Sequence, residues 1–139
     1  VMPSDKRPSS LNVLGTKVTV LAASSENECY GITFLEGEES SGPPPHSHDW
    51  DEAFYVLSGT IHFQCGTDKY ECKPGTLVHV PRNTTHAFSY GEGGGSMMEI
   101  TSRDGRAAEM FTQVDAEIDP ENPDIPKTLA ILKNNGVTV

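Results

Sequence analysis

Hydrophobic and polar residues alternate in the segments 11–22 and 30–35, and further short apolar segments follow up to residue 101. A repeat of two is typical of β-strands that bury one face. Strands that begin about every eight to twelve residues, with almost no helical periodicity, predict an antiparallel barrel or sandwich. The predicted strands, separated by turn-forming residues, are 11–22, 30–35, 53–57, 61–65, 77–80, 87–90 and 97–101.

Glycine, proline and short polar residues predict where these strands are interrupted. The segments 58–60, 66–69 and 91–95 are predicted turns, since they contain the residues that tight turns require. The segment 37–45 ends in three consecutive prolines, which fix φ and remove backbone donors. It therefore predicts an extended loop that leads into the next strand.

Helical signals occur only near the C-terminus. The segments 107–114 and 125–135 predict short helices, and the second follows Asp124, has Pro126 in its first turn and stops before Gly136. Both are expected to pack outside the barrel. The predicted organisation is a flexible arm at 1–10, a barrel at 11–104 and a helical arm of the same domain at 105–139.

Length and charge restrict the possible functions. A chain of 139 residues is long enough for one self-sufficient core. The net charge of −10 disfavours a nucleic-acid partner, because such partners need a basic surface. No apolar run approaches the ~20 residues that a membrane-spanning helix needs. Three cysteines without a C-x-x-C pair predict reduced thiols and a cytoplasmic protein.

The richest chemical signal is the run from His46 to Glu52. His46 and His48 are separated by one residue, so both imidazoles would lie on the same face of an extended strand. Glu52 follows with a carboxylate, and His86 is a candidate fourth ligand. Three nitrogens and one carboxylate suit one divalent ion, namely Fe, Mn, Ni, Co, Cu or Zn. The alternative is a chance pattern in a barrel that binds no metal, which the spacing disfavours.

Other side chains have simpler interpretations. His62 and His79 stand alone on strands, where a surface or core role is more common than ligation. Trp50 could gate the site, but a loop tryptophan more often packs against a neighbour. For Tyr55 and Tyr90 the expected role is packing, with substrate contact as the alternative.

Two stretches of the chain resemble the two conserved motifs of the cupin superfamily. Gly42, His46, His48, Glu52 and Gly59 are similar to the first motif, and every ligand position is filled. The second motif is a glycine, a proline and then a histidine in order. It is matched by Gly75, Pro81 and His86.

Three positions depart from the superfamily pattern, none of them a ligand. Asn83 replaces a usual glycine, and asparagine tolerates positive φ better than most residues. Tyr90 stands where asparagine is frequent, and Gly42 lies closer to His46 than usual. The resemblance implies a single jelly-roll barrel, of the all-β class, that holds one metal ion and forms a homodimer.

A narrower resemblance concerns the quercetin (flavonol) 2,4-dioxygenase-like cupins. It rests on PPPHSHDWDEAFYVLSGTIHF, VPRNTTHAF and DIPKTLAILKNNGV. It implies that His46, His48, Glu52 and His86 bind the metal and that Glu52 is the catalytic residue that accepts a proton from a substrate hydroxyl. In such an enzyme dioxygen then cleaves the substrate and carbon monoxide is released.

A dry pocket for a flat, apolar small-molecule substrate is expected beside the metal. Its predicted walls follow from alternation with Glu52 and His86, and a one-residue error in register would reverse an assignment. The predicted pocket residues are Phe54, Val56, Ile61, Phe63, Phe88 and Met98.

Three functions from different classes remain open at this stage. The first is a metal-dependent dioxygenase acting on an aromatic or enolisable molecule. The second is a non-oxidative metal enzyme, such as an isomerase, cyclase or decarboxylase. The third is a barrel that binds a small molecule without turnover. A shared fold does not decide among them, because cupins host many activities.

Overall fold

Antiparallel strands dominate the computed structural model, which describes residues 1–139. A 3-10 turn at Ser4–Lys6 lies in the exposed N-terminal arm. The further elements are β1 (Leu11–Val13), β2 (Thr16–Ala22), α1 (Ser24–Asn27), β3 (Tyr30–Gly37), β4 (Ser47–His48), β5 (Glu52–Cys65), β6 (Asp68–Cys72), β7 (Leu77–Val80), β8 (His86–Ser102), α2 (Ala107–Glu117), α3 (Ile125–Asn134) and β9 (Val137–Thr138).

The strands form one large sheet and one small one. The large sheet has the order β1-β2-β3-β8-β5-β6, with β7 also paired to β5, and β4 pairs with β9. Every pairing is antiparallel. The predicted all-β class with short C-terminal helices is confirmed.

The centre of the sheet is a long two-stranded ribbon made of β5 and β8. The strands contain 14 and 17 residues and pair along their whole shared length. The predicted turns at 58–60 and 91–95 are wrong, because both strands continue through these segments. The pairing shifts register there, and such bulges bend a strand instead of reversing it.

Glycine makes the bend in this ribbon possible. Gly59 has φ of +73°, and a Cβ atom at this position would overlap the carbonyl oxygen of Gly94. Any side chain would therefore meet backbone as well as adopt a strained conformation. The ribbon curves at this point, so that its two ends approach each other.

The bulges also change which residues face the interior. In the first part of β5 the buried positions are even-numbered, as with Phe54 and Val56, whereas Ile61 and Phe63 are buried beyond the bulge. The glycines of β8 cause the same change of parity. The core formed by these faces contains Val18, Leu35, Phe54, Val56, Ile61, Phe63, Cys72, Val80, Tyr90 and Met97.

The C-terminal helices lie outside the strands, as predicted. Helix α2 continues three residues beyond the predicted end, and α3 begins at the predicted residue, where the Asp124 side chain accepts a hydrogen bond of 3.0 Å from the backbone N–H of Lys127. The buried residues Val114, Ile118 and Ile131 form a second small core that packs against Val13.

The final strand, β9, has no counterpart in the sequence prediction. It pairs with β4, so that Val137 lies opposite His48 and Thr138 opposite Ser47. A two-residue strand has too little pattern to be read from sequence, and its partner is about ninety residues away along the chain. The C-terminal arm therefore reaches the histidine motif directly.

The outer face of the sheet exposes several apolar side chains. These include Tyr55, Leu57, Leu77 and Ile100. The predicted homodimer stays a prediction. All three cysteines are free thiols, and none of the helices combines the length and apolar character that crossing a membrane requires.

Candidate metal centre

Three separate segments bring the predicted metal ligands together. His46 and His86 face each other across an antiparallel bridge, in which each backbone N–H donates to the other's carbonyl, at 2.9 and 2.8 Å. His48 lies in β4, and Glu52 begins β5. The potential ligand atoms of the three histidines all lie within 4.8 Å of one another.

Backbone carbonyls fix the orientation of all three imidazole rings. The Nδ1 atoms of His46, His48 and His86 lie 2.8, 3.0 and 2.9 Å from the carbonyl oxygens of Pro44, Trp50 and Thr84 respectively. A carbonyl oxygen can only accept, so each Nδ1 carries the hydrogen. Each neutral ring then presents the Nε2 lone pair to the site, which is the usual arrangement of metal-binding histidines.

A cation is needed between the carboxylate of Glu52 and the imidazole nitrogens that face it. Its Oε2 atom lies 3.0 Å from Nε2 of His48 and 3.1 Å from Nε2 of His86. Lone pairs at these distances repel one another unless a proton or a metal ion lies between them. Nε2 of His86 is fully buried and has no hydrogen-bond partner in the protein. The donor set therefore fits a metal ion.

The distances also agree with coordination of a single ion. Ligands that lie about 2.1 Å from a metal and at right angles to each other are separated by about 3.0 Å. The two separations from Glu52 match this value. The chemistry and the spacing of these ligands thus both fit a divalent metal ion.

Burial and neighbouring charges shift the pKa values of three groups in the site. Burial, reinforced by the positive charge that His86 can carry, lowers the pKa of His46 to about 4, so its imidazole is neutral at physiological pH. Burial alone would raise the pKa of Glu52, but the hydrogen bonds that His48, His86 and Glu99 can donate when a proton takes the place of the metal ion hold this pKa below its usual range. Burial lowers the pKa of His86, but the adjacent carboxylate of Glu52 and the carbonyl oxygen of Thr84 outweigh it, and the net pKa is raised.

Trp50 packs beside the site and does not stand at an open entrance. Its indole is 1% exposed and stacks on the His48 ring, with centroids 4.1 Å apart and an interplanar angle of 3°. The packing alternative is thus correct for this residue. Trp50 also lines the cavity described below, where it fixes the His48 ring from one side.

Asn83 makes the turn that the sequence predicted for it. Its φ is +63°, and its backbone N–H donates to the carbonyl oxygen of His48 at 2.6 Å. The neighbouring Arg82 forms an ion pair with Asp51 at 2.9 Å. These contacts hold the loop before β8 against the strand that carries His48.

An apolar cavity opens onto the metal ligands. Its polar wall residues include His46, His48, Glu52, Glu99 and Thr16, and the lining residues contain no lysine or arginine. The other side of the cavity is made by the C-terminal arm, which the sequence did not predict to line the site. The contributing residues are Ala107, Met110, Phe111, Val114, Leu132, Val137 and Val139.

The predicted pocket residues divide into three groups. Phe54 and Phe88 line the cavity. Val56, Ile61 and Phe63 belong to the filled core beyond it. Met98 requires correction, because it lies on the other face of β8, and Met97 is the fully buried residue. Alternation counted from His86 gave the wrong face, since the glycine segment shifts the parity of the strand.

Glu99 is the site residue that the sequence analysis missed. It is buried, lines the cavity and lies within hydrogen-bonding reach of Glu52. Burial, and then the charge of Glu52, raise the pKa of Glu99 well above its usual value. The available signal was a glutamate beside the apolar residues Met97, Met98 and Ile100 in the predicted strand 97–101.

His62 and His79 are exposed and lie outside the ligand cluster. Tyr55 is exposed on the outer face, and Tyr90 is buried in the core. None of these four residues lines the cavity. The expectation of surface or packing roles for them agrees with these positions.

Comparison with known proteins places this site in a family. The sequence profile of the cupin domain matches residues 32–101, about half of the chain, so the chain belongs to the cupin family. The matched segment contains His46, His48, Glu52 and His86. No curated protein sequence matches the chain significantly.

Several solved structures share the fold. KdgF from Halomonas sp. has a TM-score of 0.67 and 17% identity, covering 73% of this chain and 91% of that protein. A predicted oxalate decarboxylase from Thermotoga maritima has a TM-score of 0.64 and 16% identity, with coverages of 73% and 97%. The polyketide cyclase RemF from Streptomyces resistomycificus has a TM-score of 0.57 and 22% identity, with coverages of 70% and 70%. These similarities establish a jelly-roll cupin fold.

Proposed function

We propose that this cupin is a metal-dependent dioxygenase that acts on an uncharged aromatic or enolisable small molecule. The observation that carries the proposal is the combination of a metal-ligand cluster with a cavity whose remaining wall is largely apolar. Such a cavity excludes water and favours a flat, poorly hydrated ligand.

The charge of the cavity narrows the substrate class. No lysine or arginine is present on its wall, whereas Glu52 and Glu99 are. A sugar acid or a small dicarboxylate would place its negative charge beside these carboxyl groups without a cationic side chain to pair with it. An uncharged phenol, enol or diketone avoids this cost.

The protein groups then have definite roles. A divalent ion bound here supplies Lewis acidity to a substrate oxygen. Glu52 accepts the proton from the substrate hydroxyl, because it is a carboxylate that both lines the cavity and lies at the ligand cluster. Trp50 keeps the His48 ring in place, and the apolar wall keeps bulk water away.

The proposal is tested by oxygen uptake. Protein reconstituted separately with Fe, Mn, Co, Ni, Cu or Zn would be given quercetin as the probe flavonol, and dioxygen consumption measured with an electrode. At least one metal form should consume dioxygen, and Glu52→Gln should reduce the rate by about 100-fold or more. The control is His79→Ala, which changes an exposed histidine outside the site.

Failure of all fully metallated forms on flavonols and diketones would overturn the dioxygenase proposal. Loss of activity in His79→Ala as large as in Glu52→Gln would show that the assay does not report on this site. Metal content must be measured in each variant, because Glu52 is also a candidate ligand.

A second candidate is a non-oxidative metal enzyme, such as an isomerase, cyclase or decarboxylase. It is favoured by the contact between Glu52 and Glu99, since two carboxyl groups on one cavity wall can exchange protons with a substrate without dioxygen. The fold it shares with a polyketide cyclase agrees with this chemistry. Turnover of an enolisable substrate under strict anaerobiosis would select this candidate. Ligand-dependent stabilisation without any product would select the binding barrel.

A further inference from the structure

We propose that Glu99 binds the substrate by accepting a hydrogen bond from a substrate hydroxyl group at the cavity wall. The inference rests on the proposed function only in taking the cavity to be the ligand site. It adds a second polar contact, separate from the metal ligands, that would set the orientation of the ligand.

The first support is an unpartnered oxygen in a buried place. Glu99 is 4% exposed, and its Oε2 atom has no hydrogen-bond partner in the protein. Buried carboxyl oxygens are nearly always paired, because leaving one unpaired costs stability. The same residue lines the cavity beside the metal ligands, so a ligand hydroxyl can supply the missing partner.

The second support is the rigid backbone at Glu99. Glu99 lies in β8, where it is paired with Thr33 of β3 on one side and Phe54 of β5 on the other. A residue between two hydrogen-bonded neighbours cannot shift its backbone without breaking both pairings. Phe54 is itself part of the cavity wall. The backbone that carries this carboxyl group is therefore held in place before a ligand arrives.

Neighbouring residues account for only part of its bonding capacity. The Thr33 hydroxyl and the Glu52 carboxyl are the hydrogen-bonding groups beside Glu99. A purely structural role would be filled better by an apolar side chain, as it is two positions earlier on the same face of β8, where Met97 is fully buried. Tyr90 also has a buried, unpartnered oxygen, but it does not line the cavity.

The experiment compares two probes that differ in one hydroxyl. Zinc-loaded protein would be titrated calorimetrically with p-cresol and with p-xylene, in which a methyl group replaces the hydroxyl. The wild-type protein is expected to bind p-cresol about tenfold or more tightly than p-xylene. In Glu99→Leu this ratio should fall by about fivefold or more, with p-xylene binding retained.

Two further variants separate binding from structure. Glu99→Gln keeps an oxygen acceptor at this position and should give an intermediate ratio, and it also serves if Glu99→Leu fails to fold. Met97→Leu changes a buried residue of the same strand away from the cavity and should leave the ratio unchanged. Zinc stoichiometry is measured in every variant.

The outcomes distinguish this proposal from the proposed function. An unchanged ratio in Glu99→Leu, with equal zinc content and retained binding of both probes, overturns the role of Glu99 and leaves the cavity as a ligand site. Absence of binding of either probe to the wild-type protein overturns the use of the cavity and the role of Glu99 together.

Discussion

The two ends of the barrel interior are built from the same strands but have opposite chemistry. At the closed end, the inward positions of β5 and β8 are apolar, and Val56, Ile61 and Met97 are completely buried. At the other end, the inward positions of the same strands are Glu52 and Glu99, which are buried almost as deeply. One end is filled by side chains, and the other surrounds a cavity.

This difference shows which part of the barrel is maintained for stability and which for chemistry. Apolar side chains that fill a closed space stabilise the fold through burial and packing. Two carboxyl groups and three histidines in the interior lower stability unless a partner satisfies them. Their presence in the interior therefore marks the open end as the functional end.

The largest effect is expected when two of the candidate metal ligands at the open end are removed. The double substitution His46→Ala, His86→Ala should lower bound metal from near one ion per chain to less than about a tenth, because only His48 and Glu52 remain. The measurement is elemental analysis of purified protein, with His79→Ala as the matched control. Equal metal content in the double variant and the wild type would refute the site.

The next largest effect is expected at the bend of the β5–β8 ribbon, between the filled end and the open end of the barrel. Gly59→Ala should destabilise the fold by about 2–5 kcal/mol and lower metal content as well, because the added Cβ meets the backbone of Gly94 inside the bend. Gly93→Ala is the control, since φ there is +78° but no atom lies within 4 Å of the added Cβ. Urea denaturation measures the free energy of unfolding of both variants, and equal losses would contradict the proposed contact.

The change of parity in β8 predicts unequal effects for two adjacent methionines. Met97→Ala should cost about 2–5 kcal/mol, because it leaves a cavity in the filled end. Met98→Ala should cost less than about 1 kcal/mol, since this side chain lies on the opposite, partly exposed face. Denaturant unfolding of the two variants checks the register, and a reversed order would show that the strand is placed one residue out.

The smallest expected effect concerns the hydroxyl of Tyr90, which is buried in the filled end without a hydrogen-bond partner. Tyr90→Phe should raise the free energy of unfolding by about 1 kcal/mol at neutral pH. Burial, followed by the charges of Glu99 and Glu36, raises the pKa of Tyr90 in the folded protein. The unfolded chain therefore loses its proton first, and wild-type stability falls as pH rises above about 10.

Tyr90→Phe lacks this titration, so its advantage over the wild type should widen above about pH 10. Denaturation curves recorded across the alkaline range measure the difference. A constant difference at all pH values would show that Tyr90 has an ordinary pKa in the folded state.

The metal ligands and the C-terminal helix were predictable because both depend on residues that are close together in the sequence. The spacing of His46 and His48 places both on one side of an extended segment, and His86 follows a proline turn in the second cupin motif. Helix α3 was located closely by Asp124, Pro126 and Gly136. Each of these predictions uses residues that are neighbours in the chain.

The errors arose where a glycine segment could either reverse or bend a strand. The segments 58–60 and 91–95 contain good turn residues, but they face each other across the ribbon and form bulges. If the bend is not recognised, counting alternate residues through it assigns the wrong face to every residue beyond it. Met98 is then predicted to face the interior in place of Met97. Glu99 was overlooked for the same reason, because it shares the parity of Met97.

Local sequence patterns identify the groups available for metal chemistry and show that strands are the main regular structure of the chain. Tertiary structure decided how these groups meet. An extended strand of 14 residues spans about 45 Å. Glu52 and His86 come from opposite ends of the β5–β8 ribbon, yet Oε2 of Glu52 lies 3.1 Å from Nε2 of His86. Bulge geometry and the pairing of β9 with β4 depend on contacts between distant segments, which local periodicity does not encode.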